Sequence, residues 1–459
     1  MESWWRAPLR SVFAGHDVIV AGAVAAAWTQ PVELLRSLGV GRVAVVATEG
    51  RGAGPLPETE TYVLVPPKDL PMMGRLRWAT EALVDPPEDL VGFIDEFDPS
   101  RAALVVGTFL NEAPTLAGRS FLAYRRPAWV ALEDKVVADE LWDRAGVRRS
   151  PSEVVPLADA ARAARSLDQG AGTVWAADAR DGFHGGGSGT RWVVDDGSMQ
   201  RALDDLGAIA DRVRVMPFLD GVPCSIHGFV LPDGVAVLRP VEMVVFRQRP
   251  RLVYGGLATY WDPRDDVRAE MRDVAHQVGE YLRDIVDFRG AFTIDGVATG
   301  VGFRPTELNP RMGAGLVSIG RATGCPMTFL NELIVAGVDL GLTADEIEAD
   351  LVARADESRG GGTWMPSLET PLDTPISRDL TLAADGRWQW TVDGGEATAH
   401  LEGAERFLRA SYASEALPVG PPTASVAARL WAFVDRELGT SIGALEPALP
   451  ADLVTNVES

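Results

Sequence analysis

At 459 residues the chain is too long for one hydrophobic core of ordinary size, so two to four domains are expected at roughly 100–200 residues each. An apolar fraction of 46% excludes wholesale disorder. The 43 basic and 65 acidic residues leave a net charge of −22, and no run of Lys and Arg offsets it, which excludes nucleic acid as the main partner.

The longest apolar run, residues 18–28, is 11 residues, short of the roughly 18 that a membrane-spanning helix needs. Asp17 interrupts the place where a signal peptide's apolar centre would begin, so Val18-Ile19-Val20 reads as a buried strand. Cys224 and Cys325 lie far apart and form no metal-spaced pair. No disulfide scaffold is expected, and a reducing cytoplasm fits, with no membrane partner.

In chain order, residues 16–22 read as a strand entering a turn and residues 31–38 as a helix stopped by Gly39. Further continuous apolar strands are expected at 42–46, 61–65, 102–106 and 128–132. Such runs, separated by helical patterns, predict a parallel sheet covered on both faces. Gly22 opens no G-x-G-x-x-G pattern, so a dinucleotide site has no support. A helix is predicted over 133–145, with Asp134 as N-cap and Gly146 as stop.

A helix over 157–167 and a strand over 173–177 lead into a glycine-rich loop. It reads Asp181-Gly182-Phe183-His184-Gly185-Gly186-Gly187-Ser188-Gly189-Thr190, and a strand over 191–194 follows it. Residues 214–246 are strand-rich, with a hairpin turn at Pro232-Asp233-Gly234. Met271, Val274, Ala275, Val278, Leu282 and Ile285 then make one apolar helical stripe. Two strands over 291–297 and 301–309 come next. Beyond Thr343 the pattern predicts a glycine loop at Gly360-Gly361-Gly362, a strand pair turning at Asp385-Gly386 and a helix over 425–438.

The segment that carries most chemistry is Glu307-Leu308-Asn309-Pro310-Arg311. On a strand, Glu307 and Asn309 point to the same face. Asp295 lies alongside them if the two strands form a hairpin. Two carboxylates and an amide oxygen suit magnesium held together with substrate phosphates. Arg311 adds a planar fork of donors for a phosphoryl or carboxyl oxygen.

The succession of an Asp134-Lys135 helix, a glycine-rich loop between strands and this carboxylate hairpin resembles the ATP-grasp superfamily. These are ligases that join a carboxylate to an amine through an acyl phosphate. The resemblance covers residues 128–324, with the upstream parallel sheet similar to the family's N-terminal domain. It implies an α/β and α+β multidomain chain divided as 1–127 (N-terminal domain), 128–213 (small subdomain with the glycine-rich loop), 214–342 (large subdomain with the hairpin) and 343–459 (C-terminal extension).

It further implies ATP and Mg2+ as cofactors, with Asp295, Glu307 and Asn309 on the metal. Arg311 would stabilise the intermediates, and Lys135, Gly185, Gly186, Gly187, Ser188, Phe218 and Asp220 would meet the nucleotide. The partners implied are a small-molecule carboxylate and an amine, amino acid or peptide, with peptide ligases of natural-product pathways as the nearest kind and a homodimer left open. Two positions depart from the family pattern. Ala176 stands where a second phosphate-binding lysine is usual, and Met216-Pro217 where the adenine hinge carries an acid. A nucleotide-binding homologue without ligase activity and a phosphotransferase on the same fold stay open as alternatives.

Other residues carry plainer expectations. His227 and the two cysteines are expected in the core. Trp388 and Trp390 are expected on one sheet face, and Asp95-Glu96-Phe97-Asp98 as a solvated helix end. His184 is expected either in solvent on the loop or against a phosphate. Arg304 is expected to face either a substrate carboxylate or a surface acid. No Ser-His-Asp or Cys-His order is readable.

Overall fold

The structure is a computed structural model, describing residues 3–52, 54–67, 70, 72–180, 185–248, 250–366, 368–392, 394–450 and 453. Val18–Ala21 is buried along its whole length, as the continuous apolar run requires. It pairs in parallel with Val43–Ala47 on one side and Leu104–Val106 on the other. Glu60–Val63 completes a four-stranded parallel sheet beside Val43–Ala47. Alternate residues feed two cores. Val18 and Val20 pack with Leu9, Phe13 and Phe329, whereas Ile19 and Ala21 pack with Leu90, Ile94 and Phe97. Both faces are covered, as a parallel sheet demands.

The strand expected at 128–132 is helical instead, with Pro127–Val130 as α-helix and Ala131–Glu133 as a 3-10 turn. Pro127 at the first helical position presets the backbone, and an apolar run this short does not separate strand from buried helix. Trp129 anchors the turn, donating to the Val286 carbonyl (3.1 Å) and packing edge-on to Phe288.

The helix predicted over 133–145 runs only over Ala138–Arg144. Asp134 is extended and caps a turn, accepting from the amide of Val136. That turn sets Lys135 sideways into the protein. Gly146 does end the helix, at φ +71°.

Residues 153–217 contain an antiparallel set in which Arg212–Pro217 pairs with Glu153–Pro156 and with Thr173–Ala177. Thr173–Ala177 also pairs with Thr190–Val193, across the glycine-rich loop. His184 and residues 181–183 lie outside the described residues. The large sheet is built around Gly290–Thr299, flanked by Gly221–Val230 and Gly302–Asn309, all antiparallel. The helix Asp265–Val286 covers it with Met271, Val274, Ala275, Val278 and Leu282. Ile285, expected in that stripe, is exposed in the last turn of the helix, which ends at Asp287 in the left-handed conformation.

Of the glycines expected as a loop at 360–362, Gly360 alone lies outside a strand. Gly361 and Gly362 lie in the strand Gly361–Met365, which joins Arg251–Ala258 to Phe407–Tyr412. A side chain at Gly361 would meet the carbonyl of Leu257 at 2.6 Å, so close strand approach selects glycine here. The large sheet thus continues into the last hundred residues. Glu242, fully buried in that sheet, accepts from the amides of Thr423 and Ala424 at the start of the helix Ala424–Leu438.

Asp98 is not solvated. It is buried, pairs with buried Arg119 at 3.1 Å and accepts from the amides of Ala102 and Ala103. Trp388 packs in the core and Trp390 against its edge, under Arg378. Among the described residues, no helix is long and apolar enough to cross a membrane.

Candidate active site

Three adjacent strands lay out the site as a grid. In one row Ser225, Asp295 and Glu307 are cross-strand partners; in the next row stand His227, Thr293 and Asn309. Since i and i+2 share a face, the six side chains project from one surface of the sheet. The register shifts just after Asp295, leaving Thr306 as an extra residue whose hydroxyl bonds the Asp295 carbonyl (3.1 Å). Such a bulge re-aims the side chains beside it.

The hairpin expected for Asp295, Glu307 and Asn309 is therefore present, and their polar groups touch. Asn309 Nδ2 donates to Asp295 Oδ2 at 3.1 Å, and Ser225 Oγ donates to Asp295 Oδ1. Protein encloses Asp295 closely, and burial raises its pKa; Glu307 opposite adds repulsion, which Ser225, Arg311 and Lys135 oppose. Lys135, itself buried, reaches Glu307 at 3.2 Å.

Arg311 closes the other side of the grid. Its Nη2 donates to Asn309 Oδ1 at 2.9 Å, its Nε to Glu133 Oε1, and its guanidinium lies 5.5 Å from the Phe109 ring. Glu133 also accepts from Arg125 Nη2 at 2.5 Å. One buried carboxylate thus holds two arginines side by side.

Asp295 and Glu307 supply two carboxylates. No group of three or more His, Cys, Asp and Glu is placed to hold a metal among the described residues. This donor set suits magnesium, which takes one or two carboxylates and completes its shell with substrate phosphates and water. The amide oxygen of Asn309 is bonded to Arg311, so metal ligation by Asn309 requires that bond to open.

The other expected residues lie apart. Gly186 and Gly187 have φ +62° and +80°, and Gly187 abuts the carbonyl of Leu252. Ser188 donates its amide to the carbonyl of Gly185. Phe218 packs on Trp192 (ring centroids 4.9 Å) beneath Arg247, and Asp220 is exposed. Among the described residues no hydrogen bond or ion pair joins these six to the carboxylate cluster. Arg304 turns to a surface acid, Glu270 (3.5 Å). His227 is core, as expected: its Nδ1 meets Thr293 Oγ1 at 2.8 Å, and burial lowers its pKa to about 3.

Sequence reasoning missed Glu133, Ser225 and Arg214. Ala176 pairs with Arg214 on the neighbouring strand, so a cation does stand beside the expected lysine position, one strand over. Arg214 is fully buried, bonds Asp139 from Nε (2.7 Å), and crosses to the carbonyl of Thr306, next to Glu307 (3.0 Å). Only strand register could have found it.

No protein-family model and no curated protein sequence matches the chain. Solved structures do. N5-carboxyaminoimidazole ribonucleotide synthetase in its ADP complex superposes with a TM-score of 0.54 at 10% identity, covering 93% of this chain and 98% of that one. The L-amino acid ligase of Bacillus licheniformis gives 0.54 at 13% identity, covering 95% and 98%. Biotin carboxylase of Campylobacter jejuni, in a β,γ-ATP complex, gives 0.52 at 12%, covering 94% and 93%.

Proposed function

We propose, from the premise that this chain has the ATP-grasp fold, that it is an ATP- and magnesium-dependent ligase joining a carboxylate to an amine. The observation that carries this reading is the convergence of Asp295, Glu307, Asn309, Arg311 and Lys135 on one sheet surface. Two carboxylates facing one arginine and one lysine match the charge pattern of a transferring phosphoryl group.

Direct amide formation in water is uphill, because the carboxylate and ammonium are stabilised as ions, and slow, because oxide is a poor leaving group. Phosphorylating the carboxylate converts that oxygen to phosphate, and the amine then displaces phosphate from the acyl phosphate. Asp295 and Glu307 are the residues that would hold magnesium, whose contribution is to neutralise phosphate charge. Lys135, already within 3.2 Å of Glu307, would meet phosphate oxygens beside them. Arg311, oriented by Glu133, is preorganised for the oxygen on which charge develops. The 185–189 loop supplies backbone amides for phosphate and a cover that keeps water from the acyl phosphate.

The carboxylate substrate is read as an amino acid or peptide, by likeness to the amino acid ligase. The reading is tested by incubating the protein with ATP, magnesium and pairs of carboxylates and amines, and searching for amide products by mass spectrometry. The buried alanine at 176 supports a second reading, nucleotide binding without ligation. That reading predicts ATP affinity with no amide from any pair.

A further inference from the structure

Behind Arg311 lies a cavity of about 30 Å³, walled by the 108–111 loop, the 123–125 segment and the helix Met327–Val335. It has room for one or two water molecules or for one small head group, and not for a whole metabolite. Two polar atoms of opposite character on its lining residues lack partners among the described residues. One is Glu332 Oε2, on a residue 3% exposed; the other is the Nε of Arg125, on a residue 7% exposed.

Glu332 is an unusual group to bury. The amide of Ala123 bonds its carboxyl, and burial pushes its pKa well above the carboxylate range; Arg289, which also lines the cavity, is directed to Asp287 at 3.7 Å. An acid so placed is costly to ionise until a positive charge arrives. Arg125 does not serve, since its charge is directed to Glu133 at 2.5 Å and Glu112 at 3.5 Å. Around the cavity, Phe109 and Tyr124 are large aromatic side chains left exposed.

We propose that this cavity is a socket for the primary ammonium group of the carboxylate substrate, received by Glu332, with that substrate's carboxylate turned toward Arg311. The proposal rests on the ligase reading and narrows it: the acid to be activated is an amino acid with a free amine, not a simple carboxylic acid. Arg125 Nε is then a donor for an oxygen of the same molecule. In the complex the Glu332 carboxylate pairs with the ammonium. Phe109 and Tyr124 offer apolar surface to the remainder. Two trapped waters would also satisfy the orphan atoms, but they would not discriminate between ligands.

The test compares amino acids with their desamino counterparts, for example L-alanine with propionate and L-phenylalanine with 3-phenylpropionate, by calorimetric titration of the full chain with magnesium and a non-hydrolysable ATP analogue. The socket predicts that at least one amino acid binds and that its desamino partner binds at least ~10-fold more weakly, as expected for loss of a charged hydrogen bond. Glu332→Gln should weaken the amino acid by a similar factor and leave the nucleotide analogue unaffected. Equal affinity of each pair for the wild type would overturn the socket, without any variant having to fold. Amino acid affinity unchanged in a folded Glu332→Gln would overturn it too. Discrimination with no amide product would instead remove the ligase reading and keep the binding site. Amide formation from desamino acids at wild-type efficiency would do the reverse.

Discussion

Asp295 and Glu307 stand directly opposite each other on antiparallel strands, and the amide of Asn309 ties down Asp295 while Lys135 ties down Glu307. Two carboxylates held this way repel each other, and Asp295, closely enclosed by protein, resists ionisation. A divalent cation arriving with phosphate relieves both effects. The pair is therefore strained toward a ligand.

Glu307→Gln should keep the fold and lower turnover at least ~10²-fold, the scale of removing one electrostatic stabiliser. The amide leaves metal charge uncompensated and also releases Lys135. Wild-type turnover at saturating magnesium would remove Glu307 from the metal site.

Arg311→Ala should lower the maximal rate far more than nucleotide affinity, because its charge is matched during transfer. Arg311→Lys should rescue only in part, since an ammonium cannot bridge Glu133 and Asn309 as the guanidinium does. Kinetics and nucleotide titration on one preparation separate the roles: a weakened affinity with an intact rate would mean binding alone.

Replacing both Gly186 and Gly187 by alanine should raise ATP hydrolysis uncoupled from product several-fold and weaken ATP binding. Both glycines use positive φ, and a side chain at Gly187 would sit 2.9 Å from the Leu252 carbonyl. The ratio of ADP to amide measures this, and an unchanged ratio would deny the loop a covering role.

Glu242 predicts how stability varies with pH. Burial raises its pKa from 4.5 to about 7 despite the amides of Thr423 and Ala424; Cys224 and Tyr412, which face it, are themselves held neutral by burial. The unfolded chain therefore loses this proton first as pH rises. Below pH 4.5 both states are protonated and nothing is lost; between 4.5 and 7 stability falls, by on the order of 3 kcal/mol for this group. Glu242→Gln should flatten that fall in Tm. A parallel pH dependence in variant and wild type would show that Glu242 folds ionised.

Much of the site was legible because it is local: Glu307, Asn309 and Arg311 follow one another, and a hairpin needs only its turn to bring Asp295 across. The partners that orient them were not. Ser225, Glu133 and Arg214 reach the site through strand register and a turn geometry that no short window encodes. Residues 128–132 show the limit on elements: five apolar residues after Pro127 suit a buried strand or a buried turn of helix, and packing on Phe288 decides. Likewise Gly361 and Gly362 look like a loop until the neighbouring strand explains why no side chain fits.

The most direct test of the central claim is the stoichiometry of ADP, phosphate and amide during turnover with ATP, magnesium and the best carboxylate–amine pair. The account predicts one ADP and one phosphate per amide, with ADP release falling sharply when the amine is withheld. ADP released at the same rate without amine, or nucleotide bound with no ADP formed under any pairing, would contradict it.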